Sequence, residues 1–203
     1  MASTVVGIGN CQVQLMVDCA STALGLAPHY LHPSTFKANQ QLLADALVEA
    51  AVVIANVGPI ADDACDAARI AGRHDLPIIA APKFHFLGFH PDVAFPCTAE
   101  GERPELPMGN ANSAILLAAW RASLTAEQAL SLFRDEVYDA LGYYEAFELA
   151  KDSLAEECQR ARFDVRPFLP EWMKLAPFMY IPLHPKIEVL RDITLAQLQS
   201  FGL

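Results

Sequence analysis

The stretch Thr4-Val5-Val6-Gly7-Ile8-Gly9-Asn10-Cys11-Gln12-Val13 places a cysteine where a short apolar strand turns into a helix. The glycines at positions 7 and 9 let the backbone turn tightly and let a substrate approach it. The N–H groups and the positive end of a helix N-terminus stabilise negative charge, so a cysteine held there favours the thiolate form. Cys11 is therefore a candidate nucleophile, and the alternative interpretation is a buried cysteine that fills a corner at the turn.

The first half of the chain alternates short apolar runs with helical patterns, which predicts a parallel sheet with helices on both faces. The run Ala51–Ala55 is continuously apolar, as expected of a central strand that is covered on both sides. The predicted strands are Thr4–Ile8, Pro28–His32, Val52–Val57 and Leu76–Ala80. The predicted helices are Cys11–Leu24, Lys37–Glu49 and Ile60–Gly72.

The second half of the chain has a different pattern. Five of the fourteen prolines stand at positions 82, 91, 96, 104 and 107, so an irregular segment follows the last predicted strand. Ser113–Arg162 is helical almost throughout, with a capping-box signature at Thr125–Gln128, and Ile187–Phe201 predicts a closing helix. The aromatic residues at 133, 138, 143, 144 and 147 have helical spacing and are interpreted as core. We expect a single α/β domain in which residues 1–108 form the sheet and residues 109–203 form a mainly helical C-terminal extension packed on it.

The composition fits a compact globular protein, because 53% of the 203 residues are hydrophobic and 19% are charged. A net charge of −10 without a cluster of lysine or arginine argues against nucleic-acid binding, since phosphate contacts need a basic face. The five cysteines include no CxxC pair, which argues against a disulfide framework and a structural zinc site. No apolar run is long enough for a bilayer and the N-terminal residues lack signal-peptide features, so we expect a cytoplasmic protein with reduced thiols.

Two further motifs carry groups that a cysteine nucleophile needs. Phe89-His90-Pro91-Asp92 combines a histidine with a carboxylate, and Leu183-His184-Pro185-Lys186 holds a second histidine before a proline. Either His90 or His184 is able to deprotonate the thiol or an acceptor hydroxyl, and Asp92 is able to orient an imidazole. The alternatives are turn histidines bonded to the backbone and an Asx turn at Asp92. These three side chains lack the regular spacing of a metal site, and no metal is expected.

The turn itself supplies hydrogen-bond donors for a developing oxyanion. The amides of Cys11 and Gln12 and the side chain of Asn10 are the nearest candidates, and Gly9 leaves room for the substrate. Asn56 stands at the end of the third predicted strand, and it is a further candidate because the carboxyl ends of parallel strands meet at one edge of a sheet.

Several motifs occur in an order that resembles the WcbI-type family of polysaccharide biosynthesis. They are Gly9-Asn10-Cys11-Gln12, Gly88-Phe89-His90-Pro91-Asp92, Ala129–Phe133, Ala140–Tyr144, Phe178-Met179-Tyr180 and His184-Pro185. The resemblance covers nearly the whole chain. It implies a three-layer parallel sheet of the SGNH-hydrolase or flavodoxin type, with Cys11 where the hydrolases keep a nucleophilic serine. It also implies an acetyltransferase of capsule biosynthesis that binds coenzyme A, with His90 and His184 at the two His-Pro positions of the family.

The thiol and the resemblance together predict an acyltransferase that moves an acetyl or similar acyl group from coenzyme A to a sugar hydroxyl of a capsular or extracellular polysaccharide. Either Cys11 forms an acyl-enzyme, or a histidine activates the hydroxyl for direct attack. The phosphates of coenzyme A need cations, and Lys83 and Lys186 are nearest in sequence to the His-Pro motifs. The alternatives are an SGNH-like cysteine esterase or thioesterase and a non-catalytic protein that binds a nucleotide or a sugar.

Overall fold

The computed structural model describes residues 3–36, 40–102, 111–175 and 177–203. Within that part of the chain, four parallel strands form a sheet in the order β2-β1-β3-β4: β1 (Thr4–Ile8), β2 (Ala27–Leu31), β3 (Ala50–Asn56) and β4 (Ile78–Ala81). Two short antiparallel pairs join β5 (Val93–Ala94) to β6 (Asn112–Ser113) and β7 (Met179–Ile181) to β8 (His184–Pro185). The helices are α1 (Cys11–Leu24), α2 (Pro33–Phe36), α3 (Gln40–Leu47), α4 (Pro59–Ile70), α5 (Ala114–Arg121), α6 (Ala126–Leu130), α7 (Asp135–Ala140), α8 (Glu145–Arg160), α9 (Leu169–Trp172) and α10 (Ile187–Ser200), with a 3₁₀ turn at Met173–Leu175.

Helices cover both faces of the sheet, which confirms the predicted mixed α/β fold. Alternate residues of β1 and β3 point to opposite faces. One face packs against α3 and α4 through a buried cluster that includes Val6, Ile8, Val53, Leu43 and Leu47. The other face packs against α1, and α10 in turn packs against α1. The sheet is therefore the middle of three layers.

The first strand and the first helix occupy the predicted residues. Asn10 caps α1 because its side chain accepts hydrogen bonds from the N–H groups of Gln12 and Val13. Gly25 ends the helix at a φ of 66°, a left-handed conformation that glycine adopts without a steric penalty. The predicted strand and helix ends elsewhere differ by a few residues, and the predicted start of the second helix at Lys37 lies outside the described residues.

The chain divides into two compact units. The sheet unit comprises Met1–His85 and Leu154–Leu203, and the helical unit comprises Phe86–Ser153. In the helical unit the predicted helical stretch is broken into short helices, and the positive φ angles of Ser123 and Gly142 occur at two of the breaks. The predicted capping box at Thr125 and Gln128 is confirmed, because each side chain bonds to the backbone N–H of the other residue.

The interpretation of the helical-unit aromatics as core is wrong. Phe133 and Tyr144 are exposed, and the other three aromatic residues of this set are half-buried. The rings of Phe133, Tyr143 and Tyr144 contact Tyr138, whereas Phe147 packs against the buried ring of Phe86 and against Phe89. Phe133, Tyr143 and Tyr144 lie in the turns between the helices, so they do not form the continuous helical face that their spacing predicts. None of the described helices is long and apolar enough to cross a membrane.

Candidate active site

Cys11 is the first residue of α1, directly after the turn that leaves β1, and it is exposed. The Asn10 side chain caps the N–H groups of Gln12 (3.1 Å) and Val13 (3.3 Å), while the Asn10 carbonyl accepts from Gln14 at 3.3 Å. Within the described part of the chain, the cap therefore leaves the Cys11 N–H as the free donor of the first turn.

His184 brings the imidazole to this thiol. Its Nε2 lies 3.8 Å from Cys11 Sγ, within hydrogen-bond range for sulfur, although 173 residues separate the two in sequence. His184 stands in β8, which pairs with β7 as a hairpin, and α10 begins three residues later. The buried rings of Phe84, Trp172 and Phe178 pack edge-on or tilted against one another next to this hairpin, with centroids 5.8 to 6.4 Å apart.

Asn56 and Gly9 shape the backbone around Cys11. Asn56 ends β3, is 3% exposed, and its Oδ1 accepts the Asn10 N–H at 2.9 Å. Asn56 Nδ2 is buried without a hydrogen-bond partner among the described residues. A Cβ at Gly9 would collide with the Asn56 carboxamide and would lie 2.6 Å from a methyl carbon of Val13. Position 9 therefore accepts only glycine in this backbone.

Gln12 is buried and has a fully bonded side chain. Its Nε2 donates to the carbonyls of Phe84 (2.8 Å) and Leu183 (2.6 Å), and its Oε1 accepts the Phe84 N–H at 3.0 Å. Its own backbone N–H donates to the Asn10 cap, so that amide is not free for an oxyanion in this geometry. The donors that remain from the predicted set are the Cys11 N–H, Asn56 Nδ2 and Asn10 Nδ2, because the Asn10 cap uses only Oδ1.

Tyr30 lies close to Cys11, although the sequence analysis did not select it. Its hydroxyl donates to the Gly9 carbonyl. Burial raises the pKa of the Tyr30 phenol, and the negative charge of the Cys11 thiolate raises it further. The signal that would have found Tyr30 is its place near the carboxyl end of β2, which neighbours β1 in the sheet.

His90 and Asp92 belong to the helical unit. Asp92 Oδ1 accepts from the Ile115 N–H (2.9 Å) in the first turn of α5 and from the Tyr143 hydroxyl (3.0 Å), so it joins α5 to Tyr143. Burial, followed by this hydrogen bond, raises the pKa of Tyr143 to about 12. His90 stands in a turn in which its N–H donates to the Leu87 carbonyl at 2.8 Å. Its Nε2 is buried without a partner, and within the helical unit no hydrogen bond joins Asp92 to His90 among the described residues.

The two candidate lysines have different surroundings. Lys186 Nζ donates to the Leu175 carbonyl at 2.9 Å and lies 6.0 Å from the centroid of the Tyr180 ring. Lys83 is exposed shortly after β4, and no hydrogen-bond or ion-pair partner for it occurs in the described ranges. The described residues also contain no group of three or more His, Cys, Asp or Glu side chains placed to hold a metal ion.

An exposed thiol at a helix N-terminus, within reach of an imidazole, is an arrangement that forms and stabilises a thiolate nucleophile. A solved structure of WcbI, a polysaccharide biosynthesis enzyme, matches 100% of this chain and 70% of its own length at a TM-score of 0.70 and 17% identity. That structure is described as the native protein without a disulfide bond between coenzyme A and one of its cysteines. At this identity the likeness establishes the fold alone.

No curated protein matches the chain. The family model described as "Polysaccharide biosynthesis enzyme WcbI" matches residues 4–203, which includes Cys11, both His-Pro motifs and the whole sheet. Because the match extends over nearly all of the sequence, the chain belongs to the WcbI family of polysaccharide biosynthesis enzymes.

Proposed function

We propose that this chain is a coenzyme A-dependent O-acetyltransferase that moves an acetyl or similar acyl group to a sugar hydroxyl in capsular or extracellular polysaccharide synthesis. The observation that carries the proposal is the 3.8 Å approach of His184 Nε2 to Cys11 Sγ at the N-terminus of α1. The coenzyme A named in the description of the solved WcbI structure supports the choice of acyl donor.

In the first half-reaction Cys11 takes the acyl group from its thioester. The thiol proton passes to His184, and Sγ attacks the carbonyl carbon. A new Sγ–C bond forms and the carbon–sulfur bond to coenzyme A breaks. The leaving thiolate recovers its proton from the His184 imidazolium, so coenzyme A departs as a thiol.

In the second half-reaction the acyl group moves to the acceptor. His184 takes the proton of the sugar hydroxyl, the oxygen attacks the acyl carbon, and Sγ leaves as a thiolate. His90, at the other His-Pro position of the family, is proposed to contact the acceptor. Asp92 is proposed to support that motif through its bonds to Ile115 and Tyr143 rather than by orienting a ring.

Both half-reactions pass through a tetrahedral oxyanion. The Cys11 N–H and the unpartnered Asn56 Nδ2 are the donors that we assign to it, and the glycine at position 9 lets the turn pack closely against Asn56. Asn10 contributes by holding the turn through its cap and its N–H bond to Asn56.

Lys83 and Lys186 are proposed to meet the phosphates of coenzyme A. The exposed ammonium of Lys83 is the more available of the two, because Lys186 Nζ already donates to Leu175. The odd number of free cysteines supports a reducing compartment, and we propose the cytoplasm as the location. We also propose that the fold is of the SGNH-hydrolase type, with Cys11 at the position of the nucleophilic serine.

The test is isothermal titration of coenzyme A and acetyl-coenzyme A into reduced protein, followed by intact mass measurement. We expect saturable binding and a mass gain of one acetyl group, and we expect the mass gain to disappear in Cys11→Ala. Cys65→Ala is the matched control, because Cys65 is also an exposed thiol of the sheet unit but lies within α4.

Three outcomes would contradict the proposal. Binding without acetylation or turnover would indicate a binding protein. Rapid release of acetate without an acceptor would indicate a thioesterase. Turnover that survives in Cys11→Ala would indicate direct transfer to the hydroxyl without an acyl-enzyme.

A further inference from the structure

We propose that Gln12 is a positioning residue that sets the distance between the Cys11 thiol and the His184 imidazole. The inference rests on the proposed function only in taking these two groups as the reacting pair. Gln12 directly follows Cys11 in the chain, and Leu183 directly precedes His184. The 2.6 Å hydrogen bond from Gln12 Nε2 to the Leu183 carbonyl therefore joins the immediate neighbours of the two reacting residues.

The carboxamide of Gln12 is held in one orientation by Phe84. The Phe84 N–H donates to Gln12 Oε1 at 3.0 Å, and Gln12 Nε2 donates to the Phe84 carbonyl at 2.8 Å. These two bonds fix the positions of the oxygen and the nitrogen, so the second N–H of Nε2 is directed at Leu183. Gln12 thus connects the start of α1, the segment after β4 and the β7–β8 hairpin.

The hairpin that carries His184 depends on such an anchor. Its strands contain three and two residues, and a two-stranded hairpin of this size is marginally stable in isolation. Beyond its own pairing it is tied by the bond from the Lys186 N–H to the Phe178 carbonyl at 2.9 Å. The exposed imidazole of His184 is therefore placed by the backbone on which it stands, and Gln12 holds the residue before it.

Only glutamine supplies this set of bonds at this position. Gln12 is 4% exposed, so loss of its donor groups would leave the carbonyls of Phe84 and Leu183 without their partner. Methionine has nearly the same length and no comparable donor or acceptor. Glutamate keeps an acceptor for the Phe84 N–H, but when ionised it has no donor for either carbonyl.

The experiment measures the alkylation rate of Cys11 by iodoacetamide as a function of pH, with the modified peptide resolved by mass spectrometry. Gln12→Met is expected to slow Cys11 alkylation near neutral pH by roughly 10- to 100-fold, because the displaced thiol loses the imidazole that takes its proton. Its pH profile is expected to match that of His184→Gln. The double variant is expected to react no more slowly than His184→Gln alone, since both changes remove the same contact.

Gln197→Met is the matched control. Gln197 is likewise buried at 5% exposure, and its Nε2 donates to the carbonyls of Ala80 (2.8 Å) and Ala161 (3.4 Å). Its loss is expected to lower the urea midpoint and to leave the pH profile of Cys11 alkylation unchanged. If Gln12→Met does not fold, Gln12→Glu takes its place in the same double-mutant comparison.

Additive losses in the double variant would overturn the proposal, as would a His184→Gln protein that is alkylated like the wild type. Alkylation requires neither coenzyme A nor an acceptor. A protein that shows the expected alkylation pattern but forms no acetyl-enzyme would therefore refute the proposed function while retaining the role of Gln12.

Discussion

The sheet unit and the helical unit bury their side chains to very different extents. Among the buried hydrophobic residues of the described chain, the helical unit supplies only Phe86, Ile115, Ala119 and Ala129. The parallel sheet presents two flat faces, and helices cover both of them. The short helices of the other unit leave apolar groups such as Trp120, which is 75% exposed, in contact with solvent. Apolar side chains therefore form a core where helices cover the faces of the sheet, and they stay partly exposed where only short helices are present.

One His-Pro motif lies in each of the two units. His184 belongs to the sheet unit, and its exposed ring meets a thiol, whereas His90 belongs to the helical unit and has a buried Nε2 without a partner. A reacting pair has to be held within a fraction of an ångström, which favours a rigid support. We therefore assign the thiol chemistry to the sheet unit.

The largest expected effect separates the two histidines. His184→Gln should lower the rate at which acetyl-coenzyme A acetylates Cys11 by roughly 10²- to 10⁴-fold, because the thiol loses its base. His90→Gln should affect transfer to the acceptor and leave this first half-reaction in place. Single-turnover intact mass measurements on both variants test the assignment, and an equal fall in His90→Gln would break the comparison.

The next largest effect is a loss of stability on replacing either of two glycines that have no room for a side chain. Gly9→Ala should cost about 3 kcal/mol, because its Cβ would collide with the buried Asn56 and with Val13. Gly88→Ala should cost less, about 1 kcal/mol, although its Cβ would lie 2.5 Å from Phe86 and 2.8 Å from Phe147. Asn56 is fixed by its bond to the Asn10 N–H, whereas the Phe86 atoms nearest position 88 are at the far end of the ring and Phe147 is half-buried. Urea unfolding of the two variants gives the values, and a larger cost for Gly88→Ala would contradict the difference in packing.

At alkaline pH the protein should lose stability because of Cys158, which is fully buried in the sheet unit. Burial raises the pKa of its thiol from 9.0 to about 12, followed by smaller contributions from the charges of Glu157 and Asp164. The unfolded chain releases this proton near pH 9 while the folded protein retains it, so stability is complete below pH 9 and falls as the pH rises towards 12. The loss should reach about 2 kcal/mol at pH 10.5.

Cys158→Ala should remove this part of the loss. Urea midpoints at pH 7.5 and pH 10.5 for the variant and the wild type provide the check. If the two proteins lose the same stability between these pH values, the thiol is not protected by burial as described.

The smallest effect concerns Asp92 in the helical unit. Asp92→Ala should lower the free energy of unfolding by about 1 kcal/mol, since the Ile115 N–H and the Tyr143 hydroxyl both lose their acceptor while Ser113 still caps α5. The pKa of Tyr143 should move down from about 12, because one of the causes that raise it is removed. Denaturation and ultraviolet titration of tyrosinate measure these two changes. Cys11 alkylation that slows as much as in His184→Gln would place Asp92 in the thiol site instead.

The parallel sheet was predictable from the sequence, because strand and helix patterns alternate at close spacing. The limits of Thr4–Ile8 and Cys11–Leu24 match, since an apolar run ends at a glycine and an asparagine cap opens the helix. The residues after Ser113 were correctly predicted to be helical, but the breaks between the short helices were not predicted. Periodicity does not show where a residue such as Ser123 takes a positive φ. The exposure of the aromatic residues could not be predicted either. Their spacing places them on one face of a helix, but it does not show whether another element packs against that face.

The candidate site was predictable in its residues but not in their pairing. Cys11 and both histidines stand out by residue type and by their neighbours. The two His-Pro dipeptides are equivalent in sequence, however, and only the fold brings the ring of His184 to the thiol. Gln12 was expected to contribute its amide, and its side-chain bonds to Phe84 and Leu183 depend on contacts between distant segments.

The sequence separation of 173 between Cys11 and His184 also determines when the candidate site forms during synthesis. At about 5–20 residues per second, the ribosome makes the histidine roughly 10–35 s after the cysteine. During that interval the nascent chain carries the nucleophile without its base and without the hairpin that α10 follows. A chain released before His184 is made would carry an exposed thiol without the imidazole of the proposed pair.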